Sequence, residues 1–294
     1  MNRIQPESKR IRKFREELIR NIPRSPNNAE TLAALEAKSL GELLIVYINN
    51  AARFVPPRPR SVVIEPTVTQ DPRWRSLSPD AKQLFEKART GVDLTPNLSL
   101  KIHKEGFSLA TTSSDREVRD KWADKDFLLN VMGYHHFHLS HDIEKKGHAK
   151  RTNDVLFAQV TRNDFIAIGF FDHSVFESTS RHSNQMSAER ERLWRLFQAR
   201  SSRGIPLGVA YMPWSISSSG HCTHHVFMAR RYARTIASID PMLDDASYLK
   251  ANFRAPPNNG APEKYRLSWR LEFLDLGVYD EVSNVFCVAE KGPL

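Results

Sequence analysis

Two apolar runs, VLFAQV and FIAIGFF, flank the polar Thr161, Arg162, Asn163 and Asp164, and they constrain this chain more than any other stretch. Such a pattern predicts a β-hairpin, here with a four-residue loop. Just upstream lies YHHFH. Side chains alternate along a strand, so Tyr134, His136 and His138 are expected on one face, with His135, Phe137 and Leu139 directed to the core. Strand and hairpin, with a polar exit at Asp172 and His173, are expected to form one small antiparallel sheet. Arg151, Thr152 and Asn153 then stand at its entrance. Six of the eleven histidines fall within residues 127–176.

The remaining segments read as helices first and strands later. Residues 7–20 are basic, with Ile11, Phe14 and Leu18 at helical spacing, which makes an amphipathic arm. Residues 28–38 continue as helix. Ser39 and Glu42 form a capping-box pattern before LLIVYINNAARF. PPRPR at 56–60 enforces an extended segment leading into the strand-like SVVIEP. A second helical region is expected from Ser78, with Pro79 at its first position and Leu84, Phe85 and Ala88 on one side. Residues 115–132 are helical in pattern, ended by Gly133. After the hairpin, 187–200 reads as a charged helix burying Leu193, Trp194 and Phe197, and LGVAYMP as a strand. SISSSGHCTHH enters a helix, and a Pro- and Asn-rich loop at 256–262 precedes two strands, near 265–275 and 283–289. The class predicted is α+β, a helical N-terminal part followed by a mixed or antiparallel sheet with flanking helices. Two parts are expected: residues 1–110, helical and basic, and residues 111–294, carrying the histidine strand and hairpin.

Composition bounds the partners. A chain of 294 residues, 40% hydrophobic, is long enough for a substantial core. Its net charge of +9 and pI near 9.6 favour an acidic partner. Nucleic acid is the commonest such partner. Cys222 and Cys287 are too few for a disulfide framework and fit a reducing compartment. No apolar run reaches the ~20 residues of a membrane span, and the charged N-terminus is unlike a signal sequence. The expectation is a cytoplasmic protein with no membrane partner.

Histidine titrates nearest neutrality, so two on one face beside an arginine can act as base and acid while the cation balances a phosphorane-like intermediate. RNA supplies its own nucleophile, the 2′-hydroxyl. Such chemistry needs no cofactor, no metal and no carboxylate cluster. The candidates are His136 and His138 for proton transfer, Arg151 for phosphate charge, and His173 as a further base or acid. His136 and His138, joined by His141, His148 or His173, also suit a zinc-dependent hydrolase. Histidines held by backbone carbonyls in a core are the structural alternative.

A second constellation lies at Gly220, His221, Cys222, Thr223, His224 and His225. If Thr223 caps the following helix, free N–H groups there would favour a phosphate. Arg230, Arg231 and Arg234 add positive charge along its next turns. Thr223, His224, His225 and these arginines are therefore candidate nucleic-acid contacts, with RNA ahead of DNA. A protein regulator is a further expected partner, and a non-catalytic nucleic-acid-binding or protein-binding role is the alternative to catalysis.

The histidine strand, the arginine at 151 and the hairpin RTNDVLFAQV and FIAIGFFDH resemble the core of RelE-type toxins in the barnase, EndoU, colicin and RelE ribonuclease group. The resemblance covers residues 128–176 and implies a metal-independent ribonuclease whose catalytic residues stand on one sheet face. Carried over, it places His136, His138, Arg151 and His173 in the cleft. The N-terminal helices and C-terminal strands fall outside the pattern.

Overall fold

The hairpin forms where the apolar runs place it, as β3 (Asp154–Val160) and β4 (Asp164–Asp172). Its loop is shorter than expected, residues 161–163, because the Asp164 carbonyl already accepts the Thr161 N–H at 2.9 Å and closes the ladder. The computed structural model describes residues 7–99, 102, 105–109, 126–145, 147–177, 185–206, 208–209, 215–217, 219–252 and 265–294. The fold is α+β, with one mixed and one antiparallel sheet. The first part of the helical pattern at 115–132, the Pro- and Asn-rich loop and, apart from Gly208 and Val209, the LGVAYMP strand lie outside the described residues.

The chain divides into two compact units. One comprises Met1–Ala52, His103–Asp124 and Thr223–Pro293; the other comprises Arg53–Ile102, Lys125–Cys222 and Leu294. These contacts do not divide at a single boundary near residue 110. Each unit draws its packing from segments distant in sequence, which a linear reading does not see.

In the second unit the sheet order is β1-β4-β3-β2, with β1 (Ser61–Ile64) parallel to β4 and β2 (Tyr134–His138) antiparallel to β3 at the edge. Both faces are covered. On one, Phe137 and Phe165 stack at 5.3 Å, and Phe165 meets Phe85 of the helix Trp74–Thr90 at 6.2 Å. On the other, Tyr134, Val155, Phe157 and Phe171 pack with Leu128, Met132, Val175, Leu193 and Phe197, mostly from the helices Phe127–Met132 and Ala188–Ser201. The helix Trp74–Thr90 begins a turn before the expected start, so Pro79 lies inside it. Tertiary anchoring outweighs the bond that proline forfeits. Trp74 stacks on Phe170 at 6.3 Å, and the guanidinium of Arg73 binds Asp71 through two 2.9 Å bonds.

The first unit joins the helices Lys9–Asn21, Ala29–Glu36, Leu40–Ala51 and Thr223–Ile239 to an antiparallel sheet of β5 (Leu267–Glu272), β6 (Asp275–Asp280) and β7 (Val285–Glu290). The Ser39–Glu42 capping box forms as the sequence predicts. Three strands stand where two were expected, because the turn between β5 and β6 is made by Phe273 and Leu274 at positive φ, 45° and 73°. Neither residue signals a tight turn in sequence. The basic N-terminal segment is a packed helix rather than a free arm. Phe14 and Leu18 are buried, and Arg10 binds Asp240 at 3.0 Å and Asp244 at 2.8 Å.

Buried Asp240 is the shared acceptor of this unit. It takes the Trp269 indole N–H at 2.9 Å as well as the Arg10 guanidinium, tying first helix, last long helix and sheet together. Replacing Asp240 by Ala orphans the buried Trp269 indole N–H and leaves Arg10 only its bonds to Asp244 and to the backbone carbonyl at 240; it should cost about 1–3 kcal/mol, whereas Asp244→Ala, at an exposed carboxylate, should cost under about 1 kcal/mol. Urea unfolding followed by tryptophan fluorescence measures both; equal losses would show that Asp240 is not the tie.

Candidate active site

Asp126 starts the site. Its Oδ1 accepts the Leu129 N–H at 3.0 Å and caps the helix Phe127–Met132, while its Oδ2 lies 3.8 Å from Nδ1 of His136. Gly133, at φ 71°, ends that helix in the left-handed region and turns the chain directly into β2. His136 is held between rings, 5.8 Å from Phe157 and 4.8 Å from Phe176. Alternation then puts His138 on the same side two residues on.

His138 is 5% exposed, and its backbone carbonyl accepts the Asn97 side-chain amide at 2.8 Å. Among the described residues its buried Nδ1 has no hydrogen-bond partner. Burial is the largest cause that drives the ring's pKa down to about 4, and electrostatic opposition from His136, His173 and Arg151 adds to it. At neutral pH this imidazole is uncharged. A buried polar atom left unpaired is costly and calls for an explanation, of which a catalytic role is one and an ordered water another.

His173 opens the short turn His173–Phe176 after β4. The Asp172 carboxylate fixes that turn by accepting the Ser174 N–H at 2.9 Å and hydroxyl at 2.6 Å. The His173 ring lies 5.8 Å from that of His138, and its Nε2 bonds the Thr152 carbonyl at 2.9 Å. A carbonyl only accepts, so Nε2 carries the hydrogen and Nδ1 is the basic nitrogen of the neutral ring. Thr152 is itself held by its hydroxyl donating to the Asp154 carbonyl at 2.6 Å. Arg151, next in the chain, is exposed.

The structure thus brings His136, His138, Arg151 and His173 together at one end of the sheet. They do not share one open face: Arg151 is exposed, His136 and His173 are half-buried and His138 is buried, because helices roof the face on which β2 displays its histidines. Sequence reasoning missed Asp126 and the Thr152 carbonyl. Asp126 carried a signal, an Asp just before an apolar helical run; the carbonyl carried none. His141 bonds Asp80 at 2.7 Å. Among the described residues no three His, Cys, Asp or Glu side chains are grouped to hold a metal ion.

The second constellation is divided between the two units. In one, His221 Nδ1 bonds the Ser219 hydroxyl at 3.0 Å. In the other, Thr223 is the first residue of the helix, not the cap before it. His224 is pushed toward neutrality by burial and then by Arg231, and His225 is buried. Arg231 pairs with Glu290 at 3.2 Å, neither Glu272 nor Asp275, while Arg230 and Arg234 are exposed. Asp275 instead accepts the Gly292 N–H at 2.7 Å, and Glu272 lies 4.0 Å from Arg270. Comparison of the chain with protein-family models, curated proteins and solved structures gives no match.

The neutral state of His138 has a stability consequence. The unfolded ring takes its proton near pH 6.5, the folded ring near 4, so stability is fully present above about pH 6.5 and declines by at most about 3 kcal/mol as pH falls toward 4. His138→Phe should flatten that decline in urea midpoints measured from pH 7 to 4.5. An unchanged pH dependence would contradict the assignment.

Proposed function

We propose that this chain is a nuclease-like effector that cleaves RNA by histidine acid–base chemistry without a metal. The observation that supports the reading most is the grouping around His138: a neutral, buried imidazole with an unpartnered Nδ1, near two further histidines and one exposed arginine. In this scheme the 2′-hydroxyl of RNA attacks the adjacent phosphorus, the new P–O bond closes a cyclic phosphate, and the 5′-oxygen leaves. His138 accepts the hydroxyl proton, with Nδ1 of His173 as the nearer alternative at the surface. His136, ion-paired with Asp126 when protonated, supplies the proton to the leaving oxygen. Arg151 meets the phosphate and balances the charge that grows on it. A bound phosphate also sets negative charge among the groups that oppose protonation of His138, which raises its proton affinity when substrate is present.

The resemblance to RelE-type toxins agrees with this assignment over residues 128–176. A zinc-dependent hydrolase is supported less, since His141 is committed to Asp80. Non-catalytic nucleic-acid binding is supported by a separate observation, the exposed Arg230 and Arg234.

Arg151→Ala tests the reading without disturbing the core. Its melting temperature should match that of wild type, and RNA cleavage should fall by roughly 10²–10³, the usual effect of removing one group that stabilises transition-state charge. His136→Gln should lower turnover with little change in KM. If Arg151→Ala cleaves at the wild-type rate, or if the wild type cleaves no RNA, non-catalytic binding becomes the better account. His138→Ala is a poorer test, because truncating a buried ring leaves a cavity.

A further inference from the structure

The turn His173–Phe176 ends on two apolar residues in different surroundings. Val175 is fully buried in the core cluster and pins the turn to the sheet. Phe176 is 37% exposed. Among the described residues its ring meets those of His136 at 4.8 Å, Phe157 at 5.9 Å and His173 at 5.9 Å. The contact with His136 is the shortest, and its tilt of 60° sets an edge of one ring against the face of the other. An aromatic face is negative and draws a cation lying within about 6 Å of its centre.

We propose that Phe176 is a positioning residue that presents its ring face to the edge of His136 and favours the imidazolium, keeping that histidine in its acid form. The use made of the acid rests on the ribonuclease reading above. The Asp126 carboxylate, 3.8 Å from Nδ1, also favours the proton, while His138, His173 and Arg151 carry like charge when protonated and oppose it. On the helix packed against the turn, Glu189 is paired with Arg73 and Arg192, and Arg190 donates to the Glu177 carbonyl at 2.9 Å. None of these contributions depends on residue 176. Burial of His136 by the same ring acts the other way, because desolvation disfavours the charged form. The sign of the change when the ring is removed therefore separates a ring that attracts the imidazolium from one that only covers it.

The test follows the His136 ring signals by NMR across pH in the full chain and measures RNA cleavage over the same range. Phe176→Leu keeps apolar bulk and removes the aromatic face, so the titration midpoint of His136 should fall by about half a pH unit. Phe176→Tyr should restore it. Pentafluorophenylalanine at position 176 preserves the shape of the ring and takes the negative charge from its face, so it should lower the midpoint even if Leu loosens the turn. Cleavage needs the acid protonated, so the alkaline limb of the kcat–pH profile should move to lower pH by the same amount. A midpoint that stays or rises with both replacements is what a covering ring gives and would overturn the proposal. A midpoint that falls while the alkaline limb stays would overturn the claim that Phe176 acts through the acid. A midpoint that falls in a protein that cuts no RNA would leave the tuning of His136 standing and remove the ribonuclease reading.

Discussion

Both faces of the four-stranded sheet are buried, and that constraint decides where polar chemistry is placed in its unit. Aromatic and aliphatic side chains of β3 and β4 pack against the helix Trp74–Thr90 on one side and the helices Phe127–Met132 and Ala188–Ser201 on the other. No strand residue in the middle of such a sheet faces water. Polar groups stand on the edge strand β2 and near strand ends, and the end where β2 stops, β3 starts and β4 leaves is where His138, Thr152 and His173 meet. The edge position of β2 lets it take a polar neighbour, since its carbonyl at His138 is met by the Asn97 amide instead of another strand.

Burial at that end also sets the chemistry. Desolvation, with electrostatic opposition from His136, His173 and Arg151, keeps one imidazole neutral, while Asp126 stands beside another and the Thr152 carbonyl fixes the tautomer of the third. Three residues of one type thereby acquire three different environments, which is how acid and base roles are separated at a single pH. The ion-pair network behind the site holds the scaffold. Glu189 accepts the Asp172 backbone N–H at 3.2 Å and pairs with Arg192 at 2.9 Å and Arg73 at 3.3 Å, which anchors the turn carrying His173.

Much of this was legible in the sequence because it follows from local rules. The hairpin, the capping box at Ser39 and Glu42, the end of a helix at Gly133 and the shared side of His136 and His138 all come from spacing and residue type. The four residues at the sheet end were named from chemistry, and their proximity emerged once the strands paired. Long-range packing was not legible. Alternation says that His138 shares a side with Tyr134, but not that helices cover that side. Pro79 marks a helix start by rule, yet the contacts of Trp74 and Arg73 extend the helix before it. The turn at Phe273 and Leu274 lacks the residues that positive φ normally requires, so β6 went unseen. Nothing local reveals that Arg10 meets Asp240, more than two hundred residues away, and with it the interleaving of the two units.

The most direct measurement is the chemistry of the products. Full-length protein is incubated with an end-labelled RNA in excess chelator and the new termini are identified by mass spectrometry. The account predicts cleavage that persists in chelator and yields 2′,3′-cyclic phosphate and 5′-hydroxyl ends, with no cleavage where the 2′-hydroxyl is absent. Fragments ending in 5′-phosphate, formed only when a divalent metal is supplied, would contradict it.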